Sequence, residues 1–334
     1  MREVVDSAAT SIIPEDRPVP VDWQVAGLIV LVASLCVVGL FWATVRSMVD
    51  VWESSRTFAH GFLVLPATGY LIWTYHQRLV SLPPLPSVWG LVALVVTGSG
   101  WVVGHQLSLV WLQQAAVVAS LHGLVWAILG TEIVRIMSWP LGLLMFMLPV
   151  GTAIEPWLQD ITVWFILGGL ELAGIPHLYE GYRIAIPSGT WEVAPDCGGL
   201  RYLLPGLALG YAFATLVYGK PARRIAFLVL CAAMLMLANG VRAYGVIVGD
   251  HFGIAEGADH RVFSYTIYGL TIPLLYWLGI TWTENRPVAS FRAGSPDVRL
   301  HHDIRPTNLI LMAIAAVALL AVAPLSVWLW LAPR

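Results

Sequence analysis

Apolar residues run through this chain in nine blocks of about 17–25 residues, each long enough to cross a ~30 Å hydrocarbon core as a helix. The pattern predicts spans near 23–45, 58–75, 87–104, 107–129, 133–150, 197–217, 225–248, 261–282 and 308–331. Between the fifth and sixth blocks the pattern changes. Residues 156–174 read as an amphipathic helix lying on or dipping into the outer leaflet. Residues 183–193 then alternate apolar and polar around Pro187-Ser188-Gly189, which predicts a short β-hairpin. That hairpin reads either as a packed lid between helices or as an edge able to pair with an extended peptide.

The predicted fold class is therefore an all-α polytopic integral membrane protein with about 8–9 transmembrane helices, an outer-face amphipathic helix and a β-hairpin within 151–196. Three segments follow: a cytoplasmic N-terminal segment at 1–22, a transmembrane catalytic region at 23–285, and a linker with a final span at 286–334. Composition agrees, since 58% of the 334 residues are hydrophobic and only 11% are charged. This excludes a soluble enzyme, a nucleic-acid binder and a disordered chain. The net charge of -2 matters less than where the cations fall. With the N-terminus inside, Arg78, Arg135, Lys220, Arg223, Arg224 and the arginines of 286–305 are cytoplasmic, whereas 151–196 is acidic and outside. The 58–75 block is pivotal, because without it much of this map inverts.

Three cysteines, Cys36, Cys197 and Cys231, make no disulfide framework. Cys36 and Cys231 lie in apolar runs and are expected to be small core residues. Cys197 differs, because it follows Pro195-Asp196 where a helix should open, and a helix N-terminus stabilises a thiolate. Arg201, four residues on, should share its helical face. Arg242 lies in Asn239-Gly240-Val241-Arg242-Ala243-Tyr244, near the outer end of its span, where a permanent cation needs partners. Asn239, Tyr244 or a substrate carbonyl would serve, and snorkelling to the headgroups is the alternative. His260 opens the next span. A cysteine nucleophile needs a base or ion-pair partner and an oxyanion donor, and these spans bring such groups to one boundary. A metal site from Asp250, His251, Asp259 and His260 finds no support in the spacing. The chain also lacks His-Glu-x-x-His, Gly-x-Gly-Asp and Gly-x-Ser-Gly.

Three blocks, Glu192-Val193-Ala194-Pro195-Asp196-Cys197-Gly198-Gly199-Leu200-Arg201-Tyr202-Leu203, Ala238-Asn239-Gly240-Val241-Arg242-Ala243-Tyr244-Gly245 and Gly257-Ala258-Asp259-His260, resemble the exosortases, most closely the exosortase A type. The resemblance extends to Phe58–Pro66, Pro156–Asp160 and Gly181–Gly189, covering roughly residues 20–285. It implies catalytic roles for Cys197, Arg242 and His260, with Arg201, Asn239 and Tyr244 as substrate-binding or oxyanion candidates. It further implies a cysteine protease or transpeptidase in the bacterial inner membrane, its site facing the periplasm. The partners would be exported proteins with C-terminal PEP-CTERM signals, an amine acceptor and membrane lipid. No metal or organic cofactor is required. Two positions depart from the family pattern: Gly198 stands where a serine is common, and Asp196 where a small residue is common. A reading from another class is a transporter or flippase-like protein for envelope polysaccharide, in which the arginines bind an anionic headgroup and Cys197 is dispensable.

Overall fold

The computed structural model describes residues 23–253, 260–283 and 306–331. The N-terminal segment 1–22 and the linker 286–305 lie outside the described residues. Helices α1 (Trp23–Leu40), α2 (Trp42–Ser54), α3 (Gly61–Thr74), α4 (His76–Val80), α5 (Val88–Gln106), α6 (Val110–Leu129) and α7 (Thr131–Gly142) form the first part. Then come α8 (Glu155–Leu172), strands β1 (Leu178–Glu180), β2 (Arg183–Ile186) and β3 (Gly189–Glu192), and helices α9 (Leu200–Val217), α10 (Pro221–His251), α11 (His260–Thr281) and α12 (Pro306–Leu331). Seven described helices are long and apolar enough to cross a membrane, and eight if the bent α7–α8 pair counts as one span. The chain is an all-α multi-pass membrane protein with one small sheet.

Two of the nine expected spans are not single helices. The 23–45 block is interrupted at Phe41, where α1 ends and α2 begins with its own Arg46–Asp50 ion pair at 2.8 Å. Eighteen residues of α1 already give about 27 Å, so the remaining apolar residues are not needed for crossing. The 133–150 block also stops short, because α7 gives way to a 3₁₀ turn at Leu143–Met147 and the chain bends by 74° into α8. Backbone groups freed at such a break need donors inside the bilayer. Trp52 Nε1 donates to the Met147 carbonyl at 2.9 Å, and a His122 ring nitrogen lies 2.9 Å from the Leu141 carbonyl. The 58–75 block becomes α3, an apolar helix of 14 residues.

The segment 151–196 is likewise more embedded than expected. Instead of lying alone in the outer leaflet, α8 packs along α10 in the same direction. Phe165 fills the space over Gly240, where a Cβ would come within 2.5 Å of its ring, and Tyr244 fills the space over Gly169, where a Cβ would come within 2.6 Å. The predicted hairpin forms as β2–β3, with β1 as an unforeseen third strand antiparallel to β2. Ile184, Ile186 and Val193 hold one face of this sheet against α8 and α10.

The apolar core is divided. One cluster joins α1, α2, α3, α5, α6, α7 and α12, and three smaller ones join α8 to α11 and the sheet. Cys231 is buried as expected, but Cys36 is exposed on the lipid-facing side of α1. In a bilayer, burial in protein and contact with lipid make the same demand on side-chain polarity, so hydropathy does not distinguish them. Near the start of α10, Arg224 is only 5% exposed. Its Nε donates to the Tyr218 carbonyl at 2.8 Å, Nη2 to the Tyr75 hydroxyl at 3.3 Å, and its guanidinium lies 4.8 Å from the Trp139 ring centroid. This cation fastens one end of α10 to α3, α7 and the α9–α10 turn.

Candidate active site

Cys197 does not open a helix. It ends a 3₁₀ turn, Pro195–Cys197, separated from α9 by Gly198 and Gly199. Gly199 adopts φ +94°, a left-handed conformation that interrupts the helical path before Leu200 begins α9. A Cβ there would come within 2.8 Å of the Asn239 side chain, so the turn is pressed directly onto α10. This is why Arg201 and Cys197 do not share a helical face, contrary to the four-residue spacing. From the other side, Gln159 of α8 donates from Nε2 to the Val193 carbonyl at 2.8 Å.

Asn239 is the centre of the cluster and only 1% exposed. Its Nδ2 donates to the Cys197 carbonyl at 2.9 Å and to Thr162 Oγ1 at 3.0 Å. Its Oδ1 accepts from Arg242 Nη1 and from the Tyr268 hydroxyl, both at 3.3 Å. All its hydrogen-bonding capacity toward the cluster is thus used to join α8, α10, α11 and the cysteine turn. Arg242, 7% exposed, directs Nη2 at Cys197 Sγ over 3.8 Å. Its Nε is buried with no hydrogen-bond partner among the described residues. Nor does Arg242 make an ion pair among them, so no described carboxylate consumes its charge.

Depth follows from helix arithmetic. Arg242 lies 18 residues beyond Arg224, about 27 Å along α10, close to one hydrocarbon thickness from that cationic end. The remaining nine residues to His251 carry α10 about 14 Å further, alongside the sheet. His251 Nδ1 meets Ser188 Oγ of the β2–β3 turn at 3.1 Å. The cluster therefore sits where α10 leaves the apolar slab, roofed by α8 and the sheet.

The other sequence candidates separate clearly. Tyr244 is not a partner of Arg242, since its ring packs on α8 at Gly169. Arg201 is half-buried in the first turn of α9, its guanidinium 5.9 Å from the Tyr202 ring centroid, and it makes no ion pair among the described residues. Asp196 is exposed. His260 is the first residue of α11, and its side chain lies outside the described residues, as does Asp259. The α10–α11 register, with Phe263 against Gly245 and Tyr268 on Asn239, sets the first turn of α11 beyond Arg242 toward the His251 end. Gln159, Thr162 and Tyr268 were not anticipated. Gln159 and Thr162 share a face at i, i+3 in Pro156-Trp157-Leu158-Gln159-Asp160-Ile161-Thr162, which is the trace that they left in the sequence. Tyr268, stacked on Tyr202 with ring centroids 3.9 Å apart, left none. No group of three or more metal-ligating side chains occurs among the described residues.

A multi-pass helical membrane protein with a thiol, a guanidinium and a buried amide converging at one edge of the apolar slab is the class that these observations define. The family model for transmembrane exosortases (Exosortase_EpsH) matches residues 52–277, two thirds of the chain including Cys197, Arg242 and His260. The chain belongs to that family. No curated protein and no solved structure matches it.

Proposed function

We propose that this exosortase is a membrane-embedded cysteine protease and transpeptidase that cuts the C-terminal PEP-CTERM signals of exported proteins at the periplasmic face of the bacterial inner membrane. The observation that carries this reading is Arg242: one N–H aimed at Cys197 Sγ across 3.8 Å, and a second, Nε, buried without a partner among the described residues. A fixed cation beside the sulfur is the counter-charge that a thiolate nucleophile requires. The unused N–H is a donor already in place for the oxygen of an incoming carbonyl, where negative charge develops as sulfur adds.

In the proposed sequence, the substrate helix enters laterally from the lipid. Cys197 passes its thiol proton to His260, its Sγ attacks the carbonyl carbon, and Arg242 stabilises the oxyanion. Collapse breaks the C–N bond, His260 gives its proton to the departing amine, and a thioester links the exported protein to Cys197. An amine acceptor, or water, then attacks the thioester and gives a proton to His260, which returns it to the departing Cys197 sulfur and restores the thiol. Asn239 is a positioning residue in this scheme, since it holds the Cys197 carbonyl and Arg242 in one frame. The chemistry calls on no metal or organic cofactor.

The test is co-expression with an exported protein bearing a Pro-Glu-Pro C-terminal signal. Cys197→Ala and Cys197→Ser should leave that protein unprocessed at unchanged membrane levels of the exosortase. Continued processing by Cys197→Ala would refute the nucleophile and favour a transport role, in which the thiol is dispensable.

A further inference from the structure

The sheet over the site has two edges, and one of them leads straight into the nucleophile. Val193 N donates to the Tyr182 carbonyl at 2.9 Å, which fixes the parity of the β2–β3 ladder. In an antiparallel pair, successive residues turn their main-chain groups alternately toward the partner and away from it. Counting back from Val193, Trp191 and Gly189 face β2, as their register with Ile184 and Ile186 requires. Thr190 and Glu192 therefore face outward. Ala194 N takes the Glu192 carbonyl at 3.1 Å. This leaves the Thr190 N–H, the Thr190 carbonyl and the Glu192 N–H without main-chain partners among the described residues. At the opposite edge, β1 offers only Tyr179 by the same parity and ends far from Cys197 in sequence.

Direction is fixed as well. The β2–β3 turn meets His251 at the far end of α10, whereas Cys197 meets Asn239 and Arg242 about 14 Å lower. Strand β3 thus descends toward the apolar slab and reaches the nucleophile five residues after Glu192. One face of the sheet is fastened to α8 and α10 through Ile184, Ile186 and Val193, so the edge is held rigidly with respect to the sulfur.

We propose that the outer edge of β3 binds an extended segment of the substrate polypeptide as an added strand, parallel to β3. This rests on the protease reading. A substrate whose exported part lies outside and whose C-terminal helix lies in the lipid runs inward from N to C, as β3 does, so parallel pairing is the arrangement that delivers it to Cys197. In parallel pairing, an outward-facing residue straddles one residue of the added strand and bonds to its two neighbours. Thr190 and Glu192 would then engage the main chain of every second substrate residue and leave the residue between them free. Main-chain recognition of this kind is tolerant of side-chain sequence, with selectivity left to alternate positions.

The test uses the full chain reconstituted in liposomes and synthetic peptides that span the Pro-Glu-Pro segment and the following helix, N-methylated at one successive position each. Strand pairing predicts one sensitive position along the residues upstream of the cut: kcat/KM falls about tenfold or more where methylation removes the N–H that meets the Thr190 carbonyl, the open acceptor on this edge among the described residues, and holds close to the unmodified peptide at the neighbouring positions. In parallel, Thr190→Pro and Glu192→Pro remove outward N–H groups without touching the β2 ladder, and should raise KM with kcat little changed, while Thr190→Ala is silent. If the proline variants fail to accumulate in membranes, the peptide series decides alone. A flat N-methyl profile with cleavage still dependent on Cys197 overturns strand pairing and leaves the protease reading intact. Cleavage that survives Cys197→Ala overturns the protease reading itself.

Discussion

Replacing Asn239 by Asp changes one NH₂ into an oxygen while preserving shape, and the structure dictates the consequence. The Cys197 carbonyl, 2.9 Å from Nδ2, would lose its donor and face a carboxylate oxygen instead. Leaving a buried carbonyl unsatisfied costs about 1–3 kcal/mol. Because Oδ1 already accepts from Arg242 Nη1 at 3.3 Å, the new charge would also form an ion pair with the guanidinium. At about 4 Å and an effective dielectric near 20, such a pair is worth about 4 kcal/mol. The pair would stabilise the folded protein locally while removing the free cation from the sulfur and from any developing oxyanion. With about 1.4 kcal/mol for each factor of ten, the first effect corresponds to a loss of about fivefold to a hundredfold in processing rate and the second to a loss of up to about a thousandfold. The expected result is at least a hundredfold loss of substrate processing at normal membrane abundance, with slower alkylation of Cys197 by a small membrane-permeant electrophile at fixed pH. Normal processing and normal alkylation by Asn239→Asp would refute both the positioning role and the need for an unpaired Arg242.

Other substitutions probe the same frame. Arg242→Lys keeps the charge but not the fork that reaches Sγ and Asn239 together, and processing should fall about tenfold or more. Arg201→Ala, which removes a guanidinium outside the Asn239 cluster, should cost less than Arg242→Ala in the same assay; the reverse order would exchange their roles. Gly199→Ala forces a side chain into φ +94° and against Asn239 at 2.8 Å, a strain of about 1–3 kcal/mol. It should lower membrane abundance or processing at least several-fold, and wild-type behaviour on both measures would contradict the turn geometry. Tyr268→Phe loses one hydrogen bond, about 0.6 kcal/mol for an average interhelical bond in a membrane, but keeps the stacking on Tyr202. A modest drop is expected; a hundredfold drop would mean that the hydroxyl serves the substrate directly.

The residues that carry chemistry were legible because charge is scarce in this chain. Arg242 and Asn239 stand in an otherwise apolar run, and Cys197 stands at a Pro-Asp-Cys-Gly-Gly turn signal. Their convergence follows from chain order and topology. The finer geometry was not legible, for reasons that can be named. Spacing of four residues places Arg201 beside Cys197 only if the helix is continuous, and the left-handed Gly199 interrupts it. Tyr244 is as plausible a hydrogen-bonding partner as Asn239 in sequence, and only the Gly169 gap in α8 explains why its ring goes elsewhere. Hydropathy marked the 133–150 block as one span because a bend supported by Trp52 and His122 leaves composition unchanged. Tyr268 joins the cluster through a contact between residues 29 positions apart, which periodicity within one helix does not encode.

The buried polar side chains divide into two kinds, and the division bears on mechanism. One kind serves backbone carbonyls where regular structure stops: Trp52 at Met147, His122 at Leu141, Gln159 at Val193, Arg224 at Tyr218 and Asn239 at Cys197. Each occurs because non-helical backbone at membrane depth is tolerated only when its polar groups are satisfied within the protein. Arg224 and Arg242 make the comparison sharpest, since both are buried arginines on one helix, 18 residues apart. Arg224 spends its hydrogen bonds on Tyr218 and Tyr75 and its face on Trp139, and so fixes structure. Arg242 instead directs one nitrogen at a thiol and leaves another unused. An unsatisfied buried donor costs about 1–3 kcal/mol, more when charged, and a partner that arrives with the substrate would offset it. On the proposed reading, the substrate carbonyl supplies the missing partner, so that cost is recovered as binding in the transition state, when the oxygen carries negative charge.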